Sequence, residues 1–174
     1  EYTYDDNGNM LTQTDARNNT ATYQYNARNM VKKKIYPESA EETYTYNANG
    51  SLEEKVDRKG IKTSHEYDLY GRLSKKTTGE TDANGDILNT VGKITVEYTY
   101  DDNGNQLSVS EERKTGESST TTITVEREYD ELNRVTTKED SKTNTTSSFK
   151  YDILPEISDI PDIDAQTDLS GMIA

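Results

Sequence analysis

Residues of one character recur at every second position of this chain, in short runs separated by polar tetrads. Ahead of the tetrads, one face collects Ala21, Tyr23 and Tyr25; Ile61, Thr63, His65 and Tyr67; Ile94, Val96, Tyr98 and Tyr100; and Ile123, Val125, Arg127 and Tyr129. Behind them come Val31, Lys33 and Ile35, then Leu52, Glu54 and Val56, then Leu107 and Val109. Alternation of this kind predicts half-buried antiparallel strands with one apolar face.

The tetrads follow a rule of their own. Asp5 is followed by Gly8, Asn26 by Asn29, Asn47 by Gly50, Asp68 by Gly71, Asp101 by Gly104 and Asp130 by Asn133. An Asx side chain at the first position of a type I turn can accept a backbone N–H two residues on. The fourth position must then take positive φ to close a hairpin, which Gly and next Asn do at least cost. A second turn is expected at Asp15–Asn19, Pro37–Ala40 and Asp57–Gly60.

Strand, turn, strand and turn recur as one unit. The stretch EYTYDDNGN occurs at 1–9 and again, identically, at 97–105. Aligned on its second tyrosine, the unit returns at Tyr4, Tyr25, Tyr46, Tyr67, Tyr100, Tyr129 and Tyr151. The first three spacings are 21 residues and the next are 33, 29 and 22, so two units carry insertions, near 81–95 and 113–124. A fixed period near twenty residues outranks any local reading. The expected fold is all-β: an antiparallel meander of repeated β-hairpins, about fourteen strands, forming a long, curled β-strip. Its tyrosine ladder is Tyr2, Tyr4, Tyr23, Tyr25, Tyr44, Tyr46, Tyr67, Tyr98, Tyr100, Tyr129 and Tyr151. Residues 1–152 hold seven units. In the seventh, Pro155 falls where positive φ is needed, and proline cannot supply it. Residues 153–174, with five acids and no Lys or Arg, form an acidic tail outside the repeat.

Composition alone points elsewhere. Ile, Leu, Val and Phe make up 27 of 174 residues and the formal charge is −13, a balance usually associated with disorder. Thirteen tyrosines and the strict periodicity count against that for the body of the chain. The acidity argues against nucleic acid as a partner. No run is long and apolar enough for a membrane-spanning helix, so no membrane insertion is expected. The absence of Cys removes disulfide and thiolate chemistry. The chain starts in mid-pattern, and its expected first partner is the rest of a longer parent chain.

Candidate chemistry is sparse. Asp82–Asp86 resembles the start of an EF-hand loop, but Ile87 stands where that loop needs Gly and Lys93 where it needs Glu. Asp101–Asn105 has Glu112 at the twelfth place but Gln106 at the sixth. His65, the only histidine, occupies the place of a ladder tyrosine. Glu41–Glu42, Glu53–Glu54 and Glu111–Glu112 suit a solvated surface, and Lys32–Lys34 suits a guard against edge pairing. No catalytic residue, cofactor or metal ligand is assigned.

The motif resembles that of the YD-repeat, or Rhs-repeat, family, roughly Y-x-Y-D-x-x-G-R-L. Glu66-Tyr67-Asp68-Leu69-Tyr70-Gly71-Arg72-Leu73 is its fullest copy; Tyr129–Val135 and the two YTYDDNGN segments come next. The resemblance implies a bacterial secreted or cell-surface protein, among them wall-associated proteins and toxin subunits, whose repeats build a hollow β-shell. The self-cleaving D-P-x-G context of many members has no counterpart here, so neither autoproteolysis nor toxin activity is carried over. The expected role is a non-enzymatic structural segment of a shell or scaffold. The alternative is a glycan-binding adhesive module using the tyrosine stripe. Open edges and an uncovered face also predict self-association.

Overall fold

The computed structural model describes residues 1–151. The anticipated acidic tail and the Asp152–Pro155 turn lie outside the described residues. Every regular element described is a strand: β1 (Tyr2–Tyr4), β2 (Met10–Thr14), β3 (Thr20–Tyr25), β4 (Val31–Ile35), β5 (Glu41–Tyr46), β6 (Leu52–Val56), β7 (Lys62–Tyr67), β8 (Leu73–Gly79), β9 (Ile94–Tyr100), β10 (Gln106–Lys114), β11 (Thr120–Tyr129), β12 (Val135–Asp140) and β13 (Thr145–Ser148). They form one sheet in chain order, with every pair antiparallel, and β1 and β13 are its two edges. The meander is not closed. Thirteen strands are described against about fourteen anticipated; the last expected one falls beyond residue 151.

Two kinds of turn join the strands. At one edge of the sheet lie the tetrads that follow each Y-x-Y, with φ of +82° at Gly8, +57° at Asn29, +96° at Gly50, +78° at Gly71, +89° at Gly104 and +60° at Asn133. At the other edge lie the links between repeats, built on the same geometry at Asn18, Ser39 and Gly60. The link marked at Pro37–Ala40 begins one residue earlier. Tyr36 accepts from the Ser39 N–H and donates to Ala40 O, with proline at the second turn position, where it fits.

The post-turn strands depart from simple alternation. In all six described hairpins closed by a tetrad the register slips by one residue just after the turn: Tyr25 pairs with Val31, but Gln24 pairs with Lys33. The extra residue is Leu11, Lys32, Glu53, Ser74, Leu107 or Thr136. Such a bulge breaks the period of two, and directly opposed residues share a face. The reading that put Val31, Lys33 and Ile35 on one face is therefore corrected. Val31 and Lys34 lie with Tyr25 and Tyr23, whereas Lys33 and Ile35 lie with Gln24 and Thr22 on the opposite face. Val56 likewise pairs with Thr43, away from the tyrosines, while Lys55 pairs with Tyr44.

The sheet thus has a tyrosine face and a hydroxyl face. The latter is lined by Thr3, Thr12, Thr22, Thr43, Ser64, Thr95, Ser110 and Thr124 with intervening Glu and Lys. No apolar side chain is buried among the described residues, and Thr77 and Gly79, both on β8, are the two residues nearly removed from solvent. Close by, the first insertion folds back as a small hairpin with a bridge between Thr81 and Ile87. Lys62 Nζ donates to Gly85 O at 3.0 Å, and an Ile87 methyl lies 2.9 Å from where a Cβ on Gly79 would sit. The second insertion simply lengthens β10 and β11 to nine and ten residues.

The positive φ at the fourth turn position sets a test. Gly50→Val should cost roughly 1–2 kcal/mol, the penalty of a left-handed conformation for a residue with a Cβ. Asn29→Gly should be neutral or slightly stabilising. Urea unfolding followed by the β signal in circular dichroism measures both.

Candidate functional site

Each Asx turn is held by its first side chain. Asp5 Oδ1 accepts the Asn7 and Asn9 N–H groups at 3.0 and 2.8 Å, and Asp68 Oδ1 accepts those of Tyr70 and Arg72 at 2.9 Å each. Asn26 does the same with its carbonyl oxygen, taking the Arg28 and Met30 N–H groups. The second carboxylate oxygen finds the residue four places on. It accepts Asn9 Nδ2, Asn19 Nδ2 or Asn105 Nδ2 in some turns and the guanidinium Nε of Arg72 or Arg134 in others. This explains why the motif runs D-x-x-G-R: the arginine is the outer arm of the turn.

These partners lower the carboxyl pKa values below the ordinary 3.8. The side-chain amide is the largest cause at Asp5, Asp15 and Asp101, and the Arg134 backbone N–H at Asp130. At Asp68 burial pulls upward, and the bonds from Arg72 more than offset it.

The second tyrosine of each repeat reaches back to the repeat before. Tyr25 OH donates to Met10 O, Tyr46 to Val31 O, Tyr67 to Leu52 O and Tyr100 to Leu73 O, all at 2.8 Å. Tyr129 bonds Gln106 O at 2.9 Å and Tyr151 bonds Val135 O at 2.8 Å. The acceptor is always the residue that opens the preceding post-turn strand. It is needed there because the strand ladder between the early repeats covers only three pairs, such as Thr12–Thr14 with Thr20–Thr22. The hydroxyl bridges the strands beyond that point.

The ring faces are engaged too. The Arg72 guanidinium lies 4.6 Å from the Tyr100 ring centre, and that of Arg134 lies 4.3 Å from Tyr151. Lys34 sits over Tyr23 and Tyr36, and Lys55 over Tyr44. The cation opposite the first ladder residue recurs with the repeat: Lys34 faces Tyr23, Lys55 faces Tyr44 and Lys76 faces His65. Glu42 accepts Tyr44 OH at 2.7 Å, and burial together with that carboxylate pushes the Tyr44 pKa up. Tyr2 and Tyr4 on the edge strand are the more exposed ladder members, at 56% and 59%.

His65 pairs across to Lys76 on the tyrosine face; its Nδ1 is buried without a partner, and burial lowers its pKa. Asp82 Oδ1 is taken by the Asn84 and Asp86 N–H groups, as in the other turns. No group of three or more His, Cys, Asp or Glu suited to a metal is present among the described residues. A groove of about 290 Å³ between β11 and β12 is lined by Thr124, Glu126, Glu139, Asp140 and their neighbours, with no tyrosine in its wall. Sequence reasoning named the turn residues and the tyrosines but missed the arms, Arg28, Arg72, Arg134, Asn9 and Asn105. For four of these the signal was in the sequence, as Arg or Asn four residues after a turn Asp; Arg28, two residues after Asn26, braces the next turn instead and carries no such signal.

Two expectations follow from these bonds. Tyr46→Phe should cost about 1 kcal/mol or somewhat more, because Val31 O loses its donor, whereas Tyr70→Phe should cost nothing, its exposed hydroxyl having no partner among the described residues. The turn carboxylates, with folded pKa values below 3.8, contribute stability that is fully present above that value. It is lost as pH falls from there through the depressed folded values, so the thermal midpoint should drop on acidification below about pH 4. Asp101→Asn should flatten that dependence, since Asn26 and Asn47 hold equivalent turns without a charge.

Solved structures share this architecture. A crystal structure titled TcdB2-TccC3-Cdc42 superposes with a TM-score of 0.67 at 20% identity, over 87% of this chain and 8% of that one. A Photorhabdus luminescens Tc holotoxin pore with a mutation in TccC3 gives 0.52 at 18%, over 84% and 9%. TcdB2-TccC3 without its hypervariable C-terminal region gives 0.53 at 19%, again over 84% and 9%. The chain therefore spans less than a tenth of the length of each, and at these identities the likeness establishes the fold. No curated protein matches the chain. The RHS Repeat family model matches residues 4–41 and 46–87, the segments that carry the turns at Asp5, Asn26, Asn47 and Asp68. By that match, and by the tyrosine-coupled hairpins it covers, residues 4–41 and 46–87 are similar to RHS repeats.

Proposed function

We propose that this chain is a non-enzymatic structural segment of a secreted or cell-surface toxin-type protein, forming part of a β-shell or scaffold within a longer parent. The observation that carries this reading is the internal use of the repeated groups. Six tyrosine hydroxyls are committed to backbone carbonyls of neighbouring repeats. The turn carboxylates are committed to backbone N–H groups, so neither series converges on a site where a substrate would react. Support also comes from the Tc toxin structures that share the fold. On this reading the boundaries stay as anticipated, with seven repeats over 1–152 and a separate tail over 153–174.

The glycan-binding alternative would need open ring faces and free hydroxyls on the tyrosine face. The cations over Tyr23, Tyr44, Tyr100 and Tyr151 occupy much of what a sugar would stack on. A glycan array therefore discriminates between the two. The scaffold role predicts no saturable binding, together with an extended small-angle scattering profile. Saturable binding that is abolished by Tyr23→Ala or Tyr44→Ala in a variant that still gives the β signal would replace it with the adhesive role.

A further inference from the structure

Four turn tips place an asparagine directly before the positive-φ glycine: Asn7–Gly8, Asn49–Gly50, Asn84–Gly85 and Asn103–Gly104. All four asparagines are exposed. In an unrestrained chain this dipeptide is reactive. The glycine backbone nitrogen attacks the asparagine Cγ, forming the N–Cγ bond of a succinimide as the Cγ–Nδ2 bond breaks and ammonia leaves. Water then opens either carbonyl of the ring to give aspartate or isoaspartate. Water is the only co-reactant. The isoaspartate product threads the main chain through the side chain, adding a backbone atom to a turn whose geometry depends on its length.

The folded turns oppose the first step. Each attacking nitrogen is already committed: Gly8 N–H donates to Asp5 O at 3.0 Å, and Gly50, Gly85 and Gly104 donate to Asn47, Asp82 and Asp101 at 3.1 Å. The third position of a type I turn also holds ψ near about 0°, which directs that nitrogen away from the side-chain amide. Reaction must then proceed from a locally opened turn, at a rate set by how often it opens.

The four turns are braced unequally. Arg28 donates to Ala48 O and Asn47 O at 2.8 and 2.9 Å, and Asn49 Oδ1 itself accepts the Ser51 N–H. Arg72 donates to Asp101 O at 2.9 Å, and Asn105 Nδ2 ties the same turn to Asn133. Lys62 holds Gly85 O. Asn9 Nδ2 links the Asn7 turn to Asn29 Oδ1 of the next repeat.

We infer that the Asn–Gly tips are sites of spontaneous deamidation and isoaspartate formation, and that Arg28 and Arg72 shield Asn49 and Asn103 from this reaction by bracing their turns from the preceding repeat. The test is peptide mapping by mass spectrometry after the full chain is incubated in warm, mildly alkaline buffer. Conversion at Asn49 and Asn103 should be slow in the folded chain and should rise on unfolding in urea. Arg28→Ala should speed conversion at Asn49 by about tenfold, the weight of one net hydrogen bond on the opening equilibrium, and leave Asn103 unchanged. Arg72→Ala should do the reverse. Because Arg72 also holds Asp68, the Arg28→Ala result with an intact β signal decides the matter. Folded-chain rates at Asn49 and Asn103 equal to those in urea, or an Asn49 rate indifferent to Arg28→Ala, would overturn the inference.

Discussion

A hydrogen bond from one tyrosine hydroxyl to one backbone carbonyl of the repeat before it is the interaction on which this sheet depends. A single layer of strands has no interior, and here no apolar side chain is buried among the described residues. Cohesion must therefore be lateral, from strand to strand. Within each hairpin the Asx turn and the ladder supply it. Between the early repeats the ladder lasts only three residue pairs. The tyrosine spans the remainder, satisfying a carbonyl that would otherwise be left to water and laying a large ring across the junction. The arginine that steadies one turn then covers the next tyrosine, as Arg72 does between Asp68 and Tyr100. Turn, arm, ring and carbonyl form a chain of contacts running from repeat to repeat.

This arrangement reconciles a composition near that of disordered chains with a regular fold. Disorder follows when too little apolar surface is available to offset the entropy of ordering. Tyrosine and threonine meet that cost differently from leucine and valine: each brings partly apolar surface and a hydroxyl that finds a partner. On the hydroxyl face the partners are often one another, as in Thr3 with Thr12 and Thr99 with Ser108. On the tyrosine face they are carbonyls and the Glu42 carboxylate. A chain of this kind can be ordered without a core, but only if the order of its residues repeats.

What the sequence made legible was local. The Asx residue and the positive-φ residue lie within four positions of each other, and the turn they make is complete within five, so pattern alone exposes it. The meander follows, because each turn reverses the chain. The bulge was not legible: Leu11, Lys32, Glu53, Ser74, Leu107 and Thr136 share no chemical type, since the extra residue is specified by its place and not by its side chain. Missing it sent Ile35 and Val56 to the wrong face. The tyrosine's acceptor was hidden for a different reason. It is a main-chain oxygen, which every residue carries, fifteen to twenty-seven positions away in the chain. Ser39 in the left-handed region was equally silent, because serine seldom marks such a position.

The insertions show which part of the unit is fixed. From tyrosine to the carbonyl that the next tyrosine will use is always six residues: Tyr4 to Met10, Tyr25 to Val31, Tyr67 to Leu73, Tyr100 to Gln106 and Tyr129 to Val135. Lengthening that segment would displace the acceptor and uncouple two repeats. The links at the opposite edge carry no such bond, and both insertions fall there, between β8 and β9 and between β10 and β11. One edge of the strip is therefore held to a constant geometry while the other is free to vary in length and chemistry. A strip built this way can change what it displays along its variable edge without losing register, because the bonds that keep register all lie elsewhere.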